Sequence, residues 1–355
     1  LIGFSLIKRA INEERLCYNL YTMSCIVSCS YGINPNTLKR DEGNNNIFVI
    51  IGEKIFDTSI KRSLKIIMRT MWPHVFYGLR LKLFSDEIVT FFYKLFLDAI
   101  KIRDVNELSR SDYIDHFLEL RKKKYLYSES VNNSNIENKK VGKIEVNQEL
   151  IAYQSLSLFG AGYETTSTAM TFLLYELAKY KHIQDKVIDE VDEYLKRHNG
   201  VVDYECVNEM SYLEACINET LRLYPVLGLL TREVMSNYTL PTGLTLEKGN
   251  RIHIPVYHLH RNPDYFPDPE VFRPERFIGE ERTKINQFAF LPFGNGPRMC
   301  IGIRFAKMTM MAGMLMIFKK YKLDLAEDMP VKINFQPVGF VTQSQEAIYL
   351  KFIRR

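Results

Sequence analysis

The strongest chemical signal in the chain lies in Phe293-Gly294-Asn295-Gly296-Pro297-Arg298-Met299-Cys300-Ile301-Gly302. A glycine-rich loop here delivers a cysteine to the expected start of a helix. Gly296 and Gly302 let the backbone come close to a flat partner and take angles barred to other residues. A cysteine at a helix N-terminus has its thiolate stabilised by unpaired N–H groups and by the helix dipole. With no Cys or His beside it, one thiolate does not suit zinc, which takes four ligands. It does suit the single axial position of a haem iron. Arg298, two residues earlier, is placed to pair with a haem carboxylate.

Two further groups add to this. Ala161-Gly162-Tyr163-Glu164-Thr165-Thr166 sits inside a long helical pattern. Ala161 and Thr165 share a helix face, and a small residue there leaves room above a cofactor. A helical threonine hydroxyl ordinarily bonds back to a carbonyl one turn earlier; beside a ligand it can instead open a kink and hold water, with Glu164 relaying protons. Gly160 and Gly162 in mid-helix cost about 1 kcal/mol each relative to alanine, which asks for a packing or functional reason. The third group is Glu219-Thr220-Leu221-Arg222, an acid and a base three apart on a helix. Tyr212, Leu213, Ile217, Leu221 and Leu223 surround it with apolar positions, so the pair is expected to be buried and to need a further partner, for which Arg276 is the candidate.

These groups need elements to position them. Up to about residue 126 the apolar spacing predicts helix after helix, as in Leu16, Leu20, Met23 and Val27, then Ile88, Phe91, Phe92, Leu95 and Ala99. Lys122 to Lys143 is polar and reads as a surface loop, with Arg121 to Lys124 a solvated helix end. Residues 146–199 predict two long helices broken near Tyr180 to His182, and another helix covers 205–224 up to Pro225. From 225 to 300, small strands and long coil are expected. A helix over 301–320 follows, then two strands around Gly339. The fold class is mostly α with a minor β portion, as one domain over 1–355.

The chain has 355 residues, 46% hydrophobic and 25% charged, with net charge +5. That composition belongs to a folded globular protein, and so mild a charge gives no argument for nucleic acid. The cysteines other than Cys300 are Cys17, Cys25, Cys29, Cys206 and Cys216. They read as buried hydrophobes rather than a disulfide framework. The longest uncharged apolar run, Met308 to Phe318, is about half of the roughly 20 residues a membrane span needs.

Taken together, the motifs resemble the cytochrome P450 superfamily, the thiolate-haem monooxygenases. The loop matches that family's F-x-x-G-x-R-x-C-x-G signature, Glu219 and Arg222 its E-x-x-R pair, Pro274-Glu275-Arg276-Phe277 its P-E-R-F segment, and Ala161 to Thr166 its oxygen-activation motif, all in the family's order. Among subgroups the chain looks most like the animal microsomal, xenobiotic-metabolising type, partly through His260-Arg261-Asn262-Pro263. The resemblance implies a long central helix over haem b and Cys300 as the iron ligand. It further implies Phe293 packed beside the thiolate, Arg298 and Arg232 on the haem propionates, Thr165 and Glu164 organising water and protons with O2, and Glu219, Arg222 and Arg276 as a structural lock. Gly160, Ala161, Val226, Leu227, Leu229, Leu230, Phe340 and Val341 match substrate-pocket positions, and their apolar character predicts a lipophilic substrate. Electrons are expected from NADPH through a separate reductase, with cytochrome b5 as a further donor. No dinucleotide fingerprint is present in this chain. Arg304, Lys307, Lys319 and Lys320 are candidates to meet an acidic reductase surface.

One departure stands out. The family's chains begin with a membrane anchor, a hinge and a helix bearing W-x-x-x-R, whereas here Trp72 is followed four residues later by Phe76. The first residue is Leu1. The sequence is therefore expected to lack the N-terminal portion that would hold it on the cytoplasmic face of the endoplasmic reticulum. Two other readings stand beside the monooxygenase: a non-catalytic fragment unable to hold haem, and a haem-thiolate isomerase or dehydratase, whose members tend to lack the acid–threonine pair.

Overall fold

The computed structural model describes residues 14–37, 46–57, 59–106, 109–110, 112–123, 125–129, 141–327, 329–330, 332–337, 339 and 341–355. Its first half is helical: α1 Glu14–Tyr31, α2 Ile47–Ile55, α3 Ile60–Met71, α4 Pro73–Gly78, α5 Asp86–Asn106 and α6 Tyr113–Lys122. Local chemistry starts several of them. Asn46 accepts from the Phe48 N–H ahead of α2, and the Ser59 hydroxyl accepts from the Arg62 N–H ahead of α3. Trp72 ends α3, stays exposed, and is followed by Pro73 at the first position of α4.

The segment read as a polar loop after α6 holds a hairpin instead. β1 Tyr125–Glu129 pairs antiparallel with β2 Val141–Glu145. Its stabilisation comes from the surface: Lys143 lies 3.8 Å from the centre of the Tyr125 ring across the ladder. None of its described side chains is buried, so the loop expectation missed it.

Next come α7 Gln148–Lys179, α8 Lys181–Arg197, α9 Cys206–Glu209 and α10 Ser211–Leu223. Asn147 caps α7 by accepting from the Leu150 N–H at 2.8 Å. The expected break at Tyr180 separates α7 from α8, with the Tyr180 N–H closing on Glu176 O. The α7 helix serves two hydrophobic clusters. Its N-terminal half joins α1, α2, α5 and α6 through Leu156, Phe159 and Tyr163. Its C-terminal half joins α8 and α10 through Phe172, Leu173 and Leu177. The cost of glycine at 162 has a packing reason: a Cβ there would lie 2.5 Å from Ile26 Cδ1 and 2.6 Å from Ile26 Cγ1, so only glycine lets α1 lie this close.

Short strands and coil follow, as expected: β3 Leu230–Glu233, β4 Tyr238–Thr239, β5 Thr245–Leu246 and β6 Arg251–Ile254, in pairs β3 with β6 and β4 with β5. After α11 Val256–Leu259 and α12 Gly279–Lys284 comes α13 Ile303–Phe318, then β7 Tyr321–Leu325 paired with β8 Leu350–Arg354. Of the two strands expected around Gly339, the second forms as β8 but pairs with β7; nearer Gly339 the described residues make an isolated bridge, Phe335 to Ser344, and the Thr342 N–H goes to Val226 O at 2.9 Å. Among the cysteines, Cys206 and Cys216 are buried as expected and Cys25 is half-buried, whereas Cys29 is exposed. The side chain of Cys17 lies outside the described residues.

Candidate active site

Arg222 organises the region. Its side chain is fully buried and uses all five of its N–H donors. Nε donates to Glu219 Oε2 at 2.8 Å, and Nη2 to Glu219 Oε1 at 2.8 Å and to Val271 O at 3.2 Å. Nη1 donates to His260 O at 2.9 Å and to Pro269 O at 2.7 Å. Glu219 Oε1 also receives the Arg273 N–H at 2.9 Å and Arg276 Nε at 3.3 Å, while Arg276 Nη2 reaches Asp268 O at 2.8 Å. The structure thus brings Glu219, Arg222 and Arg276 together, and the pair fastens the coil of residues 260–276 onto α10. A buried ion pair is tolerable only with its remaining valences met, and here they are.

The start of α10 is set from outside. Glu190 on α8 accepts from the Tyr212 N–H at 2.7 Å and the Leu213 N–H at 2.9 Å, capping the helix that carries the pair. Glu190 had no sequence signal, since it lies on a different helix.

The cysteine loop is closed by its own backbone. The Cys300 N–H donates to Phe293 O at 2.9 Å and the Met299 N–H to Gly296 O at 3.0 Å. The turns between need left-handed backbone, supplied by Gly294 at φ +72° and Gly296 at φ +74°. Cys300 is exposed, and Gly302 leads into α13, where the Ala306 N–H bonds Gly302 O at 2.8 Å. Phe293 packs at the edge of the main core. Arg232, on β3, lies over the same loop, with Nη2 3.5 Å from Asn295 O. Arg298 is exposed.

On α7 the Thr165 hydroxyl donates to Ala161 O at 2.6 Å, the ordinary helical arrangement. Glu164 is buried and accepts from Gln343 Nε2 at 2.7 Å. Ser157 and Ala161 are exposed and Thr165 half-buried, so one stripe of α7 stays uncovered although residues just beyond it are core. Of the expected pocket residues, Gly160, Val226 and Val341 are buried, Leu227 and Leu230 are half-buried, and Leu229 is exposed. Phe340 lies outside the described residues.

Two residues had roles the sequence did not show, His260 entering it only as part of a subgroup pattern. His260 is buried, with Nε2 accepting from the Leu291 N–H at 2.9 Å. Gln343 holds Glu164 from the far end of the chain. Neither has a local pattern that announces its partner.

The donor set fits a haem. Among the described residues there is no cluster of three or more His, Cys, Asp or Glu able to hold a metal by protein alone. An exposed cysteine on a glycine-turned loop could instead offer a single thiolate to a haem iron. Neither Arg232, on β3, nor Arg298, on the loop, has a carboxylate partner among the described residues, so both could meet an anionic cofactor. Met299, Leu229 and Ile301 are exposed apolar side chains in the same stretches, Ile301 completely.

A cysteine on a glycine-turned loop thus lies within a mostly helical fold beside a coil fastened by a buried acid–base pair. The cytochrome P450 family model matches residues 15–351, and the chain belongs to that family of haem-containing monooxygenases. It is 34% identical to cytochrome P450 6B1 of Papilio polyxenes over 346 residues, covering 96% of this chain and 67% of that protein. It is 31% identical to cytochrome P450 6a9 of Drosophila melanogaster, covering 100% of this chain and 68% of the relative. It is also 31% identical to cytochrome P450 6a2 of Drosophila melanogaster, covering 97% and 66%. The chain spans about two thirds of the length of these curated relatives.

Proposed function

We propose that the protein inserts one atom of O2 into a lipophilic small molecule, the other atom leaving as water, and that Cys300 would ligate the iron of haem b. The observation that carries this reading is the placement of Cys300: exposed at the head of α13 and held by the Phe293 carbonyl, on a loop beside two arginines that have no carboxylate partner among the described residues. A thiolate-bound haem supplies oxygen activation and favours O–O cleavage.

The chain's own residues do the rest. Arg232 and Arg298 bind and orient the propionates by charge-assisted hydrogen bonds. Phe293 packs beside the thiolate and shields it from water. Ala161, small and exposed on α7, would leave room for the haem. Glu164 holds a proton at its carboxylate, and Thr165 passes it on through its hydroxyl, with water between them. Gly160, Val226, Leu227, Leu229, Leu230, Phe340 and Val341 shape an apolar pocket, so the substrate is selected by shape more than by hydrogen bonding.

The two electrons come from NADPH through a separate reductase, with cytochrome b5 as an alternative donor. The site of action is the cytoplasmic face of the endoplasmic reticulum. Among the described residues no helix is long and apolar enough to cross a membrane. Peripheral contact is supported by α3, where Ile60, Leu64, Ile67 and Met71 are exposed among Lys61, Arg62, Lys65 and Arg69.

The test is the carbon-monoxide difference spectrum of the reduced protein, compared with Cys300→Ser. A thiolate-type Soret band that disappears in the variant, with NADPH-dependent product formation, is the expected result. A band indifferent to Cys300→Ser removes the ligand assignment. Turnover that needs neither NADPH nor reductase turns the reading to an isomerase or dehydratase.

A further inference from the structure

We propose that His260 is a positioning residue that couples the buried Glu219–Arg222 pair to the cysteine loop, through two hydrogen bonds that only one neutral tautomer of its ring can make. The proposal rests on the reading of Cys300 as the iron ligand.

His260 follows α11 and is fully buried. Its ring meets two backbone groups of opposite kind. The Leu291 N–H lies 2.9 Å from Nε2, and the Arg222 carbonyl lies 3.3 Å from Nδ1. An amide N–H only donates and a carbonyl only accepts, so the proton belongs on Nδ1 and the lone pair on Nε2. Arg222 grips the same residue a second time, its Nη1 donating to His260 O at 2.9 Å. The ring is walled by Phe290 and Phe266, at centroid distances of 5.2 Å and 6.3 Å.

The other end of the bridge leads into the loop. Leu291 is buried, and its carbonyl accepts from the Gly294 N–H at 3.1 Å. Two residues on, the Phe293 carbonyl accepts from the Cys300 N–H at 2.9 Å. A hydrogen-bonded path therefore runs from Glu219 through Arg222 and His260 to Leu291, at the base of the loop that carries Cys300. The pair fastens the coil to α10, and His260 fastens the loop to the pair. Without the imidazole, the Leu291 N–H is a buried donor with no acceptor, and the loop gains freedom exactly where the thiolate must stay in place.

A second proton on this ring would sit on Nε2 and face the Leu291 N–H, donor against donor. The charged groups facing the ring are both cations, Arg222 on α10 and Arg261 next in sequence. Burial, chiefly, with these cations in support, lowers the imidazole to about 4. The bridge is thus intact at neutral pH and is lost in acid.

The experiment uses the haem-loaded protein and its His260→Phe and His260→Gln variants. The readout is the decay of the thiolate-type band of the reduced carbon-monoxide complex toward the thiol-type band, with far-ultraviolet circular dichroism in parallel. Phenylalanine keeps the ring volume and removes both hydrogen bonds. Glutamine restores an acceptor for the Leu291 N–H. The His260→Phe band is expected to decay about tenfold faster at neutral pH with helix content unchanged, the effect of one lost buried hydrogen bond, and His260→Gln to recover most of the difference. Equal decay in wild type and His260→Phe overturns the proposal, as does a glutamine variant no better than phenylalanine.

If His260→Phe fails to fold, an acid titration of wild type and His260→Gln decides. Loss of the thiolate band in wild type as pH falls toward about 4, while helix content persists, and resistance of His260→Gln to that loss, support the bridge. Coincident transitions sink it. A thiolate band that survives Cys300→Ser would instead defeat the ligand assignment, which His260 substitutions leave untouched.

Discussion

Gln343 and Glu164 are 179 positions apart, yet the Gln343 side-chain amide donates to Glu164 Oε1 at 2.7 Å. The adjacent residue, Thr342, bonds in the other direction: its hydroxyl to Pro225 O at 2.6 Å and its N–H to Val226 O at 2.9 Å. This short C-terminal segment ties the acid of α7 to the strip of chain after α10. Beside it runs a cleft of mixed character, lined by Asn19, Glu164, Ser167 and Gln343 together with Phe172 and Ile348.

If Glu164 holds a proton for the reaction, losing the Gln343 contact should waste electrons rather than weaken substrate binding. Gln343→Leu is expected to lower product formed per NADPH consumed by up to about tenfold, the scale of one lost hydrogen bond, with substrate affinity within twofold. Product, NADPH and hydrogen peroxide measured together check this. Unchanged coupling would show that Gln343 does not influence the acid.

Arg222 uses five donors on five acceptor contacts, and lysine has three donors on a flexible stem. Arg222→Lys should therefore behave as a broken buried pair rather than a conservative change, costing about 3–5 kcal/mol. Loss of haem during purification and a lowered thermal midpoint are the expected signs. A variant with wild-type midpoint would show that the pair contributes little.

The two mid-helix glycines should respond in opposite senses. Gly162→Ala drives a methyl group into Ile26 and is expected to destabilise by about 1–3 kcal/mol. At Gly160 the nearest atom to an added Cβ is Ile55 Cγ2, at an ordinary 3.6 Å. Gly160→Ala should stabilise by up to about 1 kcal/mol through helix propensity. Thermal denaturation of both variants separates them.

Glu176 gives a pH dependence of known sign. It is buried on α7, Tyr224 donates to its Oε1 at 2.5 Å, and burial raises its carboxyl above the usual range, from 4.5. The folded state then keeps a proton that the unfolded chain has released. Stability from this group is present in acid and falls as pH rises from about 4.5 through the raised folded value. Glu176→Gln should remove that decline, so the gap in midpoint between variant and wild type widens toward alkaline pH. Parallel curves would refute it.

The basic residues near the cysteine are not equivalent. Lys307 Nζ is engaged by Glu214 at 2.5 Å and Lys319 Nζ by Gly200 O at 2.9 Å, whereas Arg304 is exposed. Arg304→Glu should weaken reductase binding at low salt more than a neutral change at Lys307 does. Titration of reductase into each variant at two ionic strengths measures the difference.

The amino-acid sequence by itself determined whatever is written at short range. The glycines and cysteine of residues 293–302, the three-residue spacing of Glu219 and Arg222, and the four-residue spacing of Ala161 and Thr165 are local patterns, and the helices that carry them follow from apolar periodicity. The tertiary structure alone decided the partners. That Arg222 spends its donors on the carbonyls of His260, Pro269 and Val271, that Glu190 caps α10 from α8, and that Gln343 reaches Glu164 depend on which distant segments fold against each other. Such bonds join backbone groups or single polar side chains, which every residue or many residues offer. No spacing singles them out until burial removes water as the competing partner.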